Sequence, residues 1–210
     1  GLEADYKEYV QHIPYVLGTP YLDKRTDSVL TWAVKGINNQ IRELNLVQHG
    51  NNKFIPAMYF RGSVEQRMAL LQGLLDTDGT ISESGRIGFA SNSPKLCEDV
   101  ANLVRSLGGK AHITYQRNKH KQFTTLEIWI NECPFKLPRK RIRYRKNRQH
   151  WDKVAIVSIA RITDEPSQCI AIDNESHQFI ADEYFRTHNT GVRGAKEMGT
   201  RPQLAVLDDL

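Results

Sequence analysis

The chain has 210 residues, 40% of them hydrophobic, a formal net charge of +5 and three cysteines. That is enough apolar material for one or two domains with their own cores, and no apolar run is long enough to span a bilayer. The first residues, Gly1 to Asp5, have neither the basic nor the apolar region of a signal peptide. The lack of an initial Met is read as a fragment or a processed chain. Cys97, Cys133 and Cys169 are odd in number and far apart, which suits a reducing cytoplasm better than a disulfide framework.

In chain order, residues 6–17 are predicted helical as far as Gly18, residues 28–34 have strand character, and Ile37, Ile41 and Leu44 mark a short amphipathic helix. A stronger helix begins at Ser63, where Gln66 three residues on completes a capping box. Val64, Met68, Leu71 and Leu75 then give it one apolar face. Gly73 sits inside this helix at a cost of about 1 kcal/mol relative to alanine, which predicts close approach of another helix. Asp76 and Asp78 close it, although carboxylates are unfavourable at the negative end of the helix dipole. A divalent cation would favour them, because hard cations take carboxylate oxygens. On these features alone, a metal site and a plain Asp-Gly turn stand side by side.

The run Leu71-Gln72-Gly73-Leu74-Leu75-Asp76-Thr77-Asp78-Gly79 resembles the LAGLIDADG, or dodecapeptide, motif of homing endonucleases. In that family two such helices pack face to face through small residues, and the second acid of each reaches the scissile phosphates with bound metal. The resemblance implies Asp78 as the ligand of a Mg2+ cofactor, a structural Asp76, and double-stranded DNA as substrate. Just upstream, Lys53-Phe54-Ile55-Pro56 is similar to the Lys-x-Ile-Pro block between the two motifs of inteins. Leu71 to Gly79 is then the second motif, and Lys53 becomes either a cation near the phosphates or an ordinary surface lysine. No first motif is found in residues 1–60, which are read as a remnant of a first endonuclease subdomain. The missing N-terminal half is expected as a partner.

Residues 61–132 read as the second subdomain. Ile87 and Phe89 alternate on one side of a strand at 86–91. Ser93 caps a helix with Pro94 at its first position; its buried stripe is Leu96, Val100, Val104 and Leu107, and Gly108 ends it. Residues 110–116 and 123–130 form a hairpin with Leu126, Ile128 and Ile130 on one face and Thr125, Glu127 and Trp129 on the other. The fold class is therefore α/β: half of the endonuclease saddle (αββαββα-like), whose sheet the resemblance places in the DNA major groove, a groove wide enough for strands. Arg86, Lys110, Thr125 and Trp129 are candidates for that face, or else ordinary solvent-facing residues.

Pro134, Pro138 and a basic stretch set off residues 133–150 as a linker leading out of the endonuclease. Residues 136–148 hold eight Lys or Arg and no acid, a density that points to a polyanion. Arg139, Lys140, Arg141, Arg143 and Arg145 are its DNA-binding candidates. Strands at 154–159, 169–173 and 179–181 with polar turns between them indicate a separate all-β module over residues 151–189.

The run from Cys169 to Thr190 resembles the C-terminal splicing blocks of inteins, so this module is expected to be the C-terminal part of a Hint splicing domain. Asn189 would cyclise onto its own carbonyl and break the following peptide bond. His188 would polarise that carbonyl or protonate the leaving amine, and Thr190 would supply the hydroxyl nucleophile. His177 matches the further histidine of the block, while Cys169 falls near a position where the family usually has Asp. Residues 190–210 carry Gly191-Val192-Arg193-Gly194 and an apolar run into Asp208-Asp209. They resemble part of a phage-type large terminase ATPase, which would be the host protein in a bacterial or phage-infected cell. Two rivals remain at this point: a degenerate DNA-binding or structural insert, and a transcriptional regulator of dodecapeptide type.

Overall fold

The structure, a computed structural model, describes residues 21–22, 30–31, 36–117, 122–145, 158, 160, 175–176, 178–181, 184 and 186–188. The helix expected at 6–17 and the strands expected at 154–159 and 169–173 lie outside the described residues, apart from Ser158. The chain divides into two compact units, Gly1–Asn147 and Arg148–Leu210.

The first unit opens with a two-stranded antiparallel pair, β1 (Tyr21–Leu22) and β2 (Leu30–Thr31). The short helix α1 (Asn38–Glu43) follows. Helix α2 spans Val64–Thr77, and its capping box is complete: the Ser63 hydroxyl accepts the Gln66 N–H, and the Gln66 side chain accepts the Ser63 N–H. Met68, Leu71 and Leu75 are buried, as the helical spacing predicts, whereas Val64 in the first turn is exposed. From there the order is β3 (Gly79–Ile81), β4 (Ile87–Ser91), α3 (Pro94–Ser106), β5 (Lys110–Arg117), β6 (Gln122–Trp129) and α4 (Pro138–Arg141). This is the αββαββα order expected of the half-saddle.

The four strands form one antiparallel sheet, β3-β4-β6-β5. Its register pairs Ile87 with Ile128, Phe89 with Leu126 and Ala111 with Ile128, so one face is continuously apolar. That face is covered by α2 and α3, whose Leu71, Leu75, Val100 and Val104 are fully buried. Because strand side chains alternate, Thr80, Gly88, Thr125, Glu127, Trp129, Lys110 and His112 share the opposite face. None of these is buried.

Geometry requires glycine at several positions, Gly79 and Gly108 among them. A Cβ on Gly79 would lie 2.5 Å from the Leu75 carbonyl oxygen, so only glycine lets the chain turn back over the last turn of α2. Gly108 takes φ +75 after α3, the left-handed conformation that ends many helices. Gly73 differs from the expectation. A Cβ there would meet nothing within 4 Å, so no described segment approaches that face of α2.

Residues 133–145 are not a linker. Phe135 and Leu137 are 2% and 1% exposed, and the Tyr144 hydroxyl donates to the Ile130 carbonyl at 2.9 Å. The apolar residues interspersed in this basic stretch were sufficient to dock it onto the first unit. In the second unit, β7 (Gln178–Ile180) pairs antiparallel with β8 (Arg186–His188).

Candidate active site

Asp78 is the residue on which α2 ends. Its backbone N–H donates to the Leu74 carbonyl at 3.0 Å, and its side chain is exposed. Thr77 is turned back, its hydroxyl donating to the Gly73 and Leu74 carbonyls. The carboxylate of Asp78 is therefore the acid that the helix end presents to the surface. Asp76 points the other way. It is 2% exposed and accepts the N–H groups of Lys136 at 2.9 Å and Leu137 at 3.3 Å.

Lys53 comes from a separate part of the chain, between a 3-10 turn at Gly50–Asn52 and another at Ala57–Arg61. Two buried groups near the start of α3 fix its backbone. The Ser93 hydroxyl donates to the Lys53 carbonyl at 2.6 Å and accepts the Leu96 N–H as the helix cap. The Asp99 carboxylate accepts the Ile55 N–H at 2.9 Å and pairs with Lys95. Ser93 was legible as a cap; the anchoring role of Asp99 was not, since nothing local marks it as buried. Asp78 and Lys53 line one cleft of about 430 Å3, with Gly50, Ala90, Asn92 and Phe123 among its other walls.

The open face of the sheet carries the predicted Arg86, Lys110, Thr125 and Trp129. Arg86 is ion-paired across strands with Glu127 at 3.2 Å. Lys110 stands opposite Trp129 in the register, and His112 opposite Glu127. His112, Thr114 and Gln116 belong to the same face and could have been found by extending the alternation along β5. At the β3–β4 turn, Gly85 lies against the backbone of Arg143 and the side chain of Arg145. This brings two exposed arginines of the basic stretch beside Arg86. Arg139 and Arg141 are exposed on α4.

Lys140 departs from the expectation that it binds DNA. It is 5% exposed, and its Nζ donates to the carbonyls of Leu75, Asp76 and Gly79 at 2.7 Å each. An ammonium has three N–H donors, so no proton is left for a phosphate. The surrounding basic composition suggested a solvated charge; the carbonyls at the end of α2 and the start of β3 captured it instead.

Among the described residues no group of three or more His, Cys, Asp or Glu could hold a metal ion. The cleft offers one exposed carboxylate, Asp78, a partial ligand set of the kind that a divalent cation completes with waters and substrate phosphates. Of the splicing residues, the backbone of His188 ends β8, opposite Gln178; His177, Asn189 and Thr190 lie outside the described residues. Among the described residues no helix is long and apolar enough to cross a membrane.

With this geometry in place, comparison with known families finds one similar stretch: residues 65–153 match the model of the LAGLIDADG-like domain. The matched stretch runs from the first turn of α2 through the packed segment 133–145, so the likeness extends over what the sequence suggested was a linker. The chain is also 29% identical over 181 residues to the replicative DNA helicase DnaB of Mycobacterium intracellulare, covering 81% of this chain and 31% of the helicase. It thus spans about a third of the length of that curated relative.

Proposed function

We propose that the chain is the DNA-cutting part of an intein-encoded homing endonuclease, continuous with a C-terminal splicing segment. The observation that carries the nuclease reading is the cleft where Asp78 and Lys53 meet, at the edge of an open sheet face bearing Arg86, Lys110 and His112. In this reading the sheet lies in the major groove of double-stranded DNA, and Arg141, Arg143 and Arg145 contact flanking phosphates. Asp78 would hold a divalent cation, here taken as Mg2+, and the chemistry such an ion would supply is neutralisation of charge at the scissile phosphate and activation of water. Lys53 adds a fixed positive charge where negative charge develops, at no cost of reorganisation during the reaction.

One α2 provides one carboxylate. The reading therefore needs a second dodecapeptide helix, whose place is the open face around Gly73. We assign it to an N-terminal intein half supplied together with this chain. The likeness to DnaB supports the intein context, because the 181 aligned residues extend well beyond the family-matched 65–153. An endonuclease inserted in an unrelated host protein would give such a likeness. Residues 151–189 are then the splicing segment, with His188 assisting Asn189 cyclisation, His177 supporting it and Thr190 as nucleophile. Residues 190–210 belong to the host, an ATPase of terminase type by its Asp208-Asp209 segment, in the cytoplasm of a bacterial or infected cell.

The second reading is a DNA-binding insert that no longer cuts. It is favoured by the single carboxylate among the described residues of the cleft. The two separate in one experiment: the chain and its complementary half are incubated with plasmids carrying the intein-less host gene, in Mg2+ or in Ca2+. Cutting in Mg2+ alone supports the nuclease; binding in both without cutting supports the insert.

A further inference from the structure

The end of α2 and the start of α4 hold each other through two opposite contacts. Asp76 receives the N–H groups of Lys136 and Leu137, while Lys140 gives all three ammonium protons to the carbonyls of Leu75, Asp76 and Gly79. The last carbonyls of a helix lack their full set of partners within it, here with the Asp78 N–H also reaching the Leu75 carbonyl, and a cation at this end compensates the dipole. The three acceptors bracket Asp78, two before it and one after it. The Phe135 ring lies 5.7 Å from the ammonium and helps to close it from water. A helix needs only a glycine or asparagine to end. A buried lysine spanning the turn therefore does more than terminate α2.

We propose that Lys140 is a positioning residue for Asp78, fixing the turn so that the carboxylate enters the cleft at one height and angle. This rests on the reading of Asp78 as the metal-binding carboxylate. Lys140 itself touches neither DNA nor metal. The basic stretch is thereby divided by role: Lys140 faces inward and sets the site, while Arg141, Arg143 and Arg145 face outward. It also follows that the cutting unit is not complete at β6, because its active turn is held from residue 140.

The test compares Lys140→Met and Lys140→Arg in the full chain, with the N-terminal half added for cutting. Amide hydrogen exchange reads the turn without substrate. In Lys140→Met the amides of Asp78 and Gly79 should exchange at least about tenfold faster than in the parent, while those of α3 stay protected. A misplacement of about 1 Å costs on the order of 100-fold in rate, so kcat should fall by about that factor with KM for DNA unchanged. Lys140→Arg, which keeps the cation and its donors, should recover part of the loss. Unchanged exchange at Asp78 and Gly79 would overturn the proposal, as would loss of DNA affinity in step with cutting. Should Lys140→Met unfold the unit, Lys140→Gln, which keeps two N–H donors, carries the same comparison. If the parent cuts no DNA, the nuclease reading falls, and the exchange data alone decide whether Lys140 holds the turn.

Discussion

Replacing Asp99 tests how the cleft is assembled, because this one carboxylate ties the Lys53 segment to α3. Asp99 is 2% exposed and accepts the Ile55 N–H at 2.9 Å. In Asp99→Ala the hydrogen bond to a charged acceptor is lost, at about 1.5–3 kcal/mol, and the Ile55 N–H loses this acceptor. The Lys95 partner is 63% exposed, and an ion pair with such a partner adds less than about 1 kcal/mol. The total is about 1.5–4 kcal/mol. With a urea slope of about 2 kcal/mol/M, the unfolding midpoint should fall by roughly 0.8–2 M. Asp99→Asn keeps an oxygen acceptor and should lose about half as much. Far-UV circular dichroism during a urea titration reads both variants. If Asp99→Ala melted within about 0.2 M of the parent, or if Asn were as damaging as Ala, the carboxylate would not be the anchor described.

Three further outcomes are expected. Neutralising Arg141, Arg143 and Arg145 together should flatten the salt dependence of DNA binding, since each phosphate contact contributes about one unit to the slope; an unchanged slope would leave these arginines as solvated surface. Mass spectrometry should find slow release of the 190–210 peptide from the chain, faster with the complementary N-terminal half and absent in Asn189→Ala, whereas release persisting in that variant would mean another process cuts the chain. Burial pushes the Cys97 thiol up to about 11 from an ordinary 9.0, so native protein at pH 8 should react with a thiol reagent at Cys97 only after unfolding. Because the unfolded thiol ionises first, the Cys97 contribution to stability is complete below about pH 9 and is lost as pH rises toward 11.

What the sequence revealed, and what it concealed, follows from the range of the interactions. The capping box of α2, the Ser93-Pro94 start of α3 and the alternation of β6 are set by residues a few positions apart, and all are found where local chemistry puts them. The partner of Asp76 is about sixty residues away, and those of Lys140 are the carbonyls of another helix end. Neither contact leaves a local signature. A lysine among arginines looks solvated until the helix it caps is placed beside it. Gly73 and Gly79 show a similar division. The cost of glycine inside α2 was legible, but the tight approach within the chain is at Gly79, against Leu75. Asp78 and Lys53 were singled out by resemblance to separate blocks; that they line one cleft is a property of the fold.

The central claim is that Asp78 performs metal-dependent chemistry on DNA bound by the sheet. The most direct measurement compares Asp78→Asn with the parent, each completed with its N-terminal half, for cutting in Mg2+ and for affinity to the same DNA. The account predicts that cutting falls below detection while affinity stays within a factor of about three, since the substitution removes one exposed carboxylate from a preformed surface. Undiminished cutting by Asp78→Asn would contradict it.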